Sequence, residues 1–333
     1  MKRREFIRFI AAASAVPAFS VARAQEAGRS RRIGILADAA ISADPRGRAF
    51  FEELAAGGFV EGANLQVDHR GLGQTGLDTM ATELVRARPD VIFALAPPAA
   101  QAVQRASHSI PIVVLADDLV TSGLVSSMSH PEGNVTGVAI FAFQLNVKRL
   151  EILHEALPNA KRIGILADPD QKQSSDALDR AARNLGVETV LFTARSSEEI
   201  ADAIDAMKVK SIDAVNVLAS AKLWSLHSLI LERLGSHGLP SIWQWPQGAE
   251  DGGLIAYGPR LDGVLRQCGR QVVKLLRGAK VTDIPVEQPT ELALGINLKT
   301  ANTLDDRFHE TGLDEGSIYG TGVMFVDSSF EKS

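Results

Sequence analysis

The chain is poor in cysteine, in excess positive charge and in long apolar runs, and each shortage closes off a class of protein. A single cysteine, Cys268, gives no intramolecular disulfide, no thiolate zinc cluster and no two-thiol racemase. The formal net charge is −5, without the basic excess with which proteins grip a nucleic-acid backbone, so no nucleic-acid partner is expected. The apolar stretch Phe9–Phe19 is 11 residues long and includes Ser14 and Pro17. That is well short of the ~20 residues that span a bilayer. None of the seven histidines pairs at the i, i+4 spacing of a helical metal site, and there is no GxSxG elbow and no GK[ST] phosphate loop. No nucleophile with a positioned base, and no acid–base pair, can be nominated. An enzyme, a cofactor and a metal are therefore not expected. What remains is an ordinary globular composition of 45% apolar and 23% charged residues, in a 333-residue chain long enough for two domains.

The N-terminus reads as an export signal. Met1–Arg8 (MKRREFIR) carries four basic residues, the short apolar run follows, and Ala22-Arg23-Ala24 supplies the small-x-small pattern of a signal-peptidase site. Cleavage is expected after Ala24. Arg3-Arg4 with Phe6-Ile7 is similar to a twin-arginine signal, with the general pathway as the alternative. No cysteine follows the run, so no lipid anchor and no direct membrane attachment is expected. The segment holds five basic residues and one acid, so its removal takes the net charge from −5 to −9. A soluble acidic protein of the periplasm is the expectation.

An internal repeat organises the remainder. Arg31-Arg32-IGILAD38 and Lys161-Arg162-IGILAD168 share six consecutive residues after matching basic pairs, 130 positions apart. Asp90-VIFALA then pairs with Asp213-AVNVLA, and Pro111-IVVLA with Pro240-SIWQW. Short, continuous Val/Ile/Leu runs suit strands buried on both faces, as in a parallel sheet. Helical patterns fall between them, over Gly47–Ala56, Leu77–Arg88, Asp176–Leu185 and Ser197–Met207. The fold class expected is α/β, with two doubly wound, Rossmann-like lobes joined by a multi-strand hinge. Residues 31–137 with about 255–284 form the first lobe, and 138–254 with about 285–300 the second. Residues 305–333 are a polar, glycine-dotted tail expected to be loosely ordered.

Ligands of open α/β sheets bind beyond the strand carboxyl ends. The candidates are therefore Asp38, Ser42, Pro97, Pro98, Asp117 and Asp118 in the first lobe, and Asp168, Gln171, Ser220, Lys222 and Trp245 in the second. Helices starting at these tips offer free N–H groups to an anion, Pro98 marking one such start. Trp243 and Trp245 straddle a strand end, so one of them is expected in the core and Trp245, nearer the tip, against a ligand. Asp38, Asp168, Asp117 and Asp118 each have the plainer reading of a cap or turn residue. Gly71-Leu-Gly73-Gln-Thr-Gly76 matches a dinucleotide fingerprint but follows the second strand, and reads better as a loop at the cleft edge.

Several motifs together carry a family resemblance. These are the duplicated first strand, Asn134-Val-Thr-Gly137, Gly252-Gly253-Leu-Ile-Ala-Tyr-Gly-Pro-Arg260, Pro285-Val-Glu-Gln-Pro289 and Ile296-Asn-Leu-Lys-Thr-Ala301. Residues 31–304 resemble the ABC-transporter substrate-binding proteins of the tryptophan/tyrosine-uptake type. The resemblance implies a type I periplasmic clamshell that hands a small solute to ABC permease membrane subunits. An exported sensor module presenting its closed form to a receptor is the alternative. Two positions depart from the amino-acid-binding members. Ala96-Pro97-Pro98 stands where they resemble Gly-Thr-Pro, and Ser220-Ala221-Lys222 where they often carry Asp-Asn.

Overall fold

The computed structural model describes residues 30–37, 47–71, 76–169, 175–303 and 322–327. The segment read as an export signal, Asp38, Ser42, Gln171 and most of the tail lie outside the described residues. Two mostly parallel sheets account for the strands. The first has the order β2-β1-β3-β4-β5. It is built from Arg31–Leu36 (β1), Leu65–Arg70 (β2), Val91–Leu95 (β3), Ile112–Ala116 (β4) and Val135–Ala139 (β5). All its pairings are parallel. The second sheet has seven strands. Arg162–Ala167 (β6), Glu188–Thr193 (β7), Ala214–Val217 (β8), Ser241–Trp243 (β9) and Ile255–Gly258 (β10) are parallel. Ala293–Asn297 (β11) and Val323–Asp327 (β12) run antiparallel at one edge. Helices cover both faces, as all-parallel strands with continuous apolar faces require.

The sequence repeat is a structural repeat down to its hydrogen bonds. In the first lobe Asp90 accepts the Arg32 N–H at 2.8 Å, and the Arg32 guanidinium reaches the Ala87 carbonyl and Gln66 on β2. In the second, Asp213 accepts the Arg162 N–H at 2.8 Å, and the Arg162 guanidinium reaches the Lys210 carbonyl and Glu188 on β7. Two residues before each aspartate the chain takes a left-handed turn, Arg88 at φ 50° and Ser211 at φ 54°. Each lobe thus clips its first strand to the turn preceding its third.

The motifs behind the resemblance prove to be largely structural. Asn134 donates to the Ser107 and Ile110 carbonyls, and Thr136 to the Ile284 carbonyl. Gly137 lies so close to β4 that a Cβ there would stand 1.9 Å from the Val114 oxygen. Gly253 makes room for Trp243, whose ring a Cβ would meet at 2.5 Å.

Among the described residues the chain crosses between lobes three times. It leaves β5 and enters the helix Leu145–Ala156, which packs on the second sheet against β8, β9 and β10. It returns after β10 into the helix Leu261–Leu276, which packs on Arg48–Ala56 and contributes Val264, Leu265, Cys268 and Val272 to the first-lobe core. It crosses last beyond Glu287, whose backbone still pairs with β5. The stretch 255–284 therefore divides, contrary to its expected place in the first lobe. Ile255–Gly258 belongs to the second sheet, paired with β9 and β11, and only the residues from Leu261 belong to the first lobe. Val138 and Ala139 likewise complete β5 in the first. The tail also departs from expectation, because Val323–Asp327 pairs with β11 along its whole length. The run Val-Met-Phe-Val is strand-forming, and β11 had a free edge to offer it.

Candidate functional site

The first and second crossings leave from the carboxyl ends of β5 and β10. In the second lobe the structure brings two predicted residues together. Asp168, just past β6, is 5% exposed, and Ser220, just past β8, is 3% exposed. Ser220 Oγ donates to Asp168 Oδ2 at 2.9 Å and accepts the N–H groups of Lys222 and Leu223, capping the turn Ala221–Ser225. Gln244 Nε2 reaches the Ser220 carbonyl from β9. A buried carboxylate is thereby fixed at the strand ends by a hydroxyl that is itself fixed by a helix cap. Lys222, on the same turn, is exposed.

The aromatic residues rearrange the expectation. Trp243 is buried, with its indole N–H donating to Ser241 Oγ at 2.8 Å. Trp245 follows β9 but is also buried, and packs into the first-lobe core with Val264 and Leu265. Trp224, one turn beyond Ser220, keeps part of its surface. Its ring stacks on His227 with centroids 4.4 Å apart and meets Trp243 and Trp245 edge-on at 6.3 and 6.4 Å. His227 is anchored to Asp251 at 3.2 Å. The partly open aromatic surface at this end thus belongs to Trp224, which no periodicity marks, because it sits in a five-residue helix.

In the first lobe Ala96 closes β3 with φ 70° and ψ 154°, a region that strains any residue with a Cβ. The helix Pro97–Ala106 follows at once, with prolines at its first two positions. Proline has no N–H, and the Ala100 N–H returns to the Ala96 carbonyl. The expectation of a well-furnished anion site here is therefore corrected, since two of its donors are absent. Pro97 and Pro98 present an apolar turn instead.

Asp117 and Asp118, after β4, are engaged by backbone. Asp118 Oδ1 caps the following turn through the Val120 and Thr121 N–H groups. Asp117 Oδ1 accepts the Phe143 N–H at 2.9 Å. Burial pushes the Asp117 carboxyl up to about 6, with Asp118 adding to the rise and the Phe143 and Ala142 N–H groups and Arg149 opposing it. A surface hollow lined by Asn159, Asp213 and His237 sits at the amino ends of β6, β8 and β9, at the opposite end of those strands from Asp168 and Ser220. Among the described residues there is no cluster of side chains suited to a metal, and no helix is long and apolar enough to cross a membrane.

The family model for ABC transporter substrate binding proteins matches residues 41–315. The chain belongs to this family. A Tyrosine-binding protein of Clostridioides difficile is 29% identical over 272 residues, covering 79% of this chain and 77% of that protein. Among solved structures, a conserved domain protein from Vibrio cholerae superposes with a TM-score of 0.74 at 24% identity, covering 85% of this chain and 97% of that one. The ABC domain in complex with L-Trp from Streptococcus pneumonia superposes with a TM-score of 0.69, also at 24% identity, covering 83% and 94%. Both solved structures share the fold of this chain, and the family is one of solute-binding proteins, not enzymes.

Proposed function

We propose that this chain is the periplasmic solute-binding component of an ABC-type importer, capturing a small polar, amino-acid-like solute between its lobes and delivering it to the permease membrane subunits. The observation that carries the reading is the buried Asp168–Ser220 pair at the carboxyl ends of β6 and β8. A desolvated carboxylate held by a capped hydroxyl is a fixed acceptor for the ammonium group of such a solute. Trp224 supplies an apolar wall, Lys222 a cation at the rim, and Pro97 and Pro98 an apolar lip on the first lobe. Asp38, Ser42 and Gln171, which follow β1 and β6 in the sequence, complete the proposed set. A tyrosine-binding relative and a tryptophan-bound structural neighbour support an amino-acid-like solute. The sequence Met1–Ala24 supports export.

A solute touching both lobes stabilises the form in which they are together, by as much as it binds that form better. Micromolar binding needs only about 8 kcal/mol, within reach of an ammonium–carboxylate contact and one aromatic wall. The test is a screen of amino acids, sugars, carboxylates and purines by thermal shift and tryptophan fluorescence. A ligand at 100 times its Kd raises stability by about 2.7 kcal/mol. Saturable binding that Asp168→Asn abolishes supports the reading. Chemical conversion of a bound compound, or no binding across the panel, overturns it.

A further inference from the structure

The first crossing contains one peptide group held from both lobes. Its N–H, on Phe143, donates to Asp117 Oδ1 at 2.9 Å. Asp117 stands at the carboxyl end of β4, in the first lobe. Its carbonyl, on Ala142, accepts from Arg149 Nη1 at 2.9 Å. Arg149 lies on Leu145–Ala156, the helix packed under the second sheet. A carboxylate and a guanidinium thus face each other through a single peptide, each polarising it in the direction that strengthens the other's bond.

Arg149 also reaches the second crossing. Its Nε donates to the Tyr257 carbonyl at 2.8 Å, and Nη1 donates to Asn146 Oδ1 at 2.7 Å. The guanidinium is completely buried. At Gly258 a Cβ would stand 3.4 Å from Nη2 and 2.0 Å from the Gln244 oxygen, so side chains are kept out beside it. One buried cation therefore ties together the segment that leaves β5 and the segment that leaves β10. On the first-lobe side, the Phe141 N–H is bound to the Asp117 carbonyl, and Phe141 takes the left-handed conformation at φ 46°.

We propose that Asp117 and Arg149 are positioning residues of the hinge, which clamp the 142–143 peptide between the lobes, set the angle of the first two crossings, and release that angle when Asp117 loses its negative charge. The charged groups facing Asp117 are Asp118, its neighbour, and Arg149 from the second lobe; Tyr257 faces Arg149 from β10. Burial raises Asp117 to about 6 and lowers Arg149 to about 9, so between pH 5 and 8 Asp117 titrates while Arg149 keeps its charge. The consequence for solute affinity rests on the cleft reading above. The lobe spacing itself does not.

The experiment measures lobe spacing without solute. Spin labels are placed at Glu83→Cys on Leu77–Arg86 and at Glu198→Cys on Ser197–Val209, both exposed, in the full chain. Cys268 is buried and leaves the labelling to the introduced thiols. Dipolar distance distributions are recorded from pH 8 to pH 5. The expected result is a narrow distribution at pH 8 whose width at least doubles with a midpoint near pH 6. Asp117→Asn keeps the shape without the charge, and is expected to give the broad distribution at every pH. Arg149→Lys keeps the charge but cannot span both carbonyls, and is expected to do the same. Should Arg149→Lys fail to fold, Asp117→Asn decides alone. A wild-type width that does not change with pH, or an Asp117→Asn chain that keeps the narrow distribution or the same pH step, overturns the proposal. If the clamp responds as expected and no solute is found, the cleft reading fails and the hinge assignment stands.

Discussion

Asp90 and Asp213 hold equivalent places in the two lobes, accepting the backbone N–H of Arg32 and of Arg162, near the start of each lobe's first strand, at 2.8 Å. Each aspartate immediately precedes its lobe's third strand, so one carboxylate ties the first strand to the start of the third and to the turn before it. A hydrogen bond to a charged group contributes about 1.5–3 kcal/mol net. Asp90→Ala is expected to lower stability by about 1–2 kcal/mol, and Asp213→Ala by less because it is more exposed. Each aspartate bonds within its own lobe, so the two losses are expected to add in urea unfolding. Losses that fail to add would show that the two clips are coupled through the crossings.

Ala96 offers a substitution against the usual rule. Glycine normally costs about 0.5–1 kcal/mol relative to alanine. At φ 70° and ψ 154° the alanine stores about 1–3 kcal/mol of backbone strain. Ala96→Gly is therefore expected to raise the thermal midpoint by a few degrees. A lowered midpoint would place the strain elsewhere.

Asp117 gives the fold a specific pH signature. Its carboxyl rises from 3.8 to about 6 on folding, so the folded state holds the proton more tightly than the unfolded chain. The stabilising contribution is present in full below about 3.8 and is lost as pH rises through about 6. Asp117→Asn removes this slope. At pH 7 the variant is expected to be more stable than the parent by about 1–2 kcal/mol, after allowance for partial exposure, and nearly equal to it at pH 4. Stability and lobe spacing then move in opposite directions in the same variant, which separates the clamp from a general loosening. Urea unfolding at both pH values checks it.

Cys268 lies in the first-lobe core on Leu261–Leu276, and burial pushes its thiol well above the usual range. A thiol reagent such as Ellman's is expected to titrate no thiol in the native chain and one after unfolding. Reaction in the native state would mean that this helix leaves the first lobe readily.

The repeat was legible because strand 1 of each lobe is buried over most of its length on both faces and so must be a continuous apolar run. The strands and the long amphipathic helices follow from that pattern. The helix Leu145–Ala156 escaped it, because its inward face includes Asn146 and Arg149, both buried, where periodicity demands apolar residues. A lone arginine on a helix reads as solvated, and only the carbonyls of Ala142 and Tyr257, brought from distant positions, make its burial intelligible. The strand-end aspartates were found by position, but their partners were not. Asp168 meets Ser220 across 52 residues, while Asp117 and Asp118 are taken up by backbone N–H groups. Trp245 was misplaced because the helix it packs with, Leu261–Leu276, belongs to the first lobe although it follows directly on β10 of the second.

That same return has a consequence for how the molecule is made. The first lobe's interior includes Val264, Leu265, Val272, Leu276 and Ile284, so the earlier residues of that lobe cannot complete their core until position 284 has emerged. The second sheet, begun later, acquires its last strand only with Val323–Asp327. Synthesis order and completion order are thus decoupled: for most of its time on the ribosome the chain holds two unfinished halves, each waiting for a piece still to be translated. In a chain built this way both halves become whole only within the final few dozen residues.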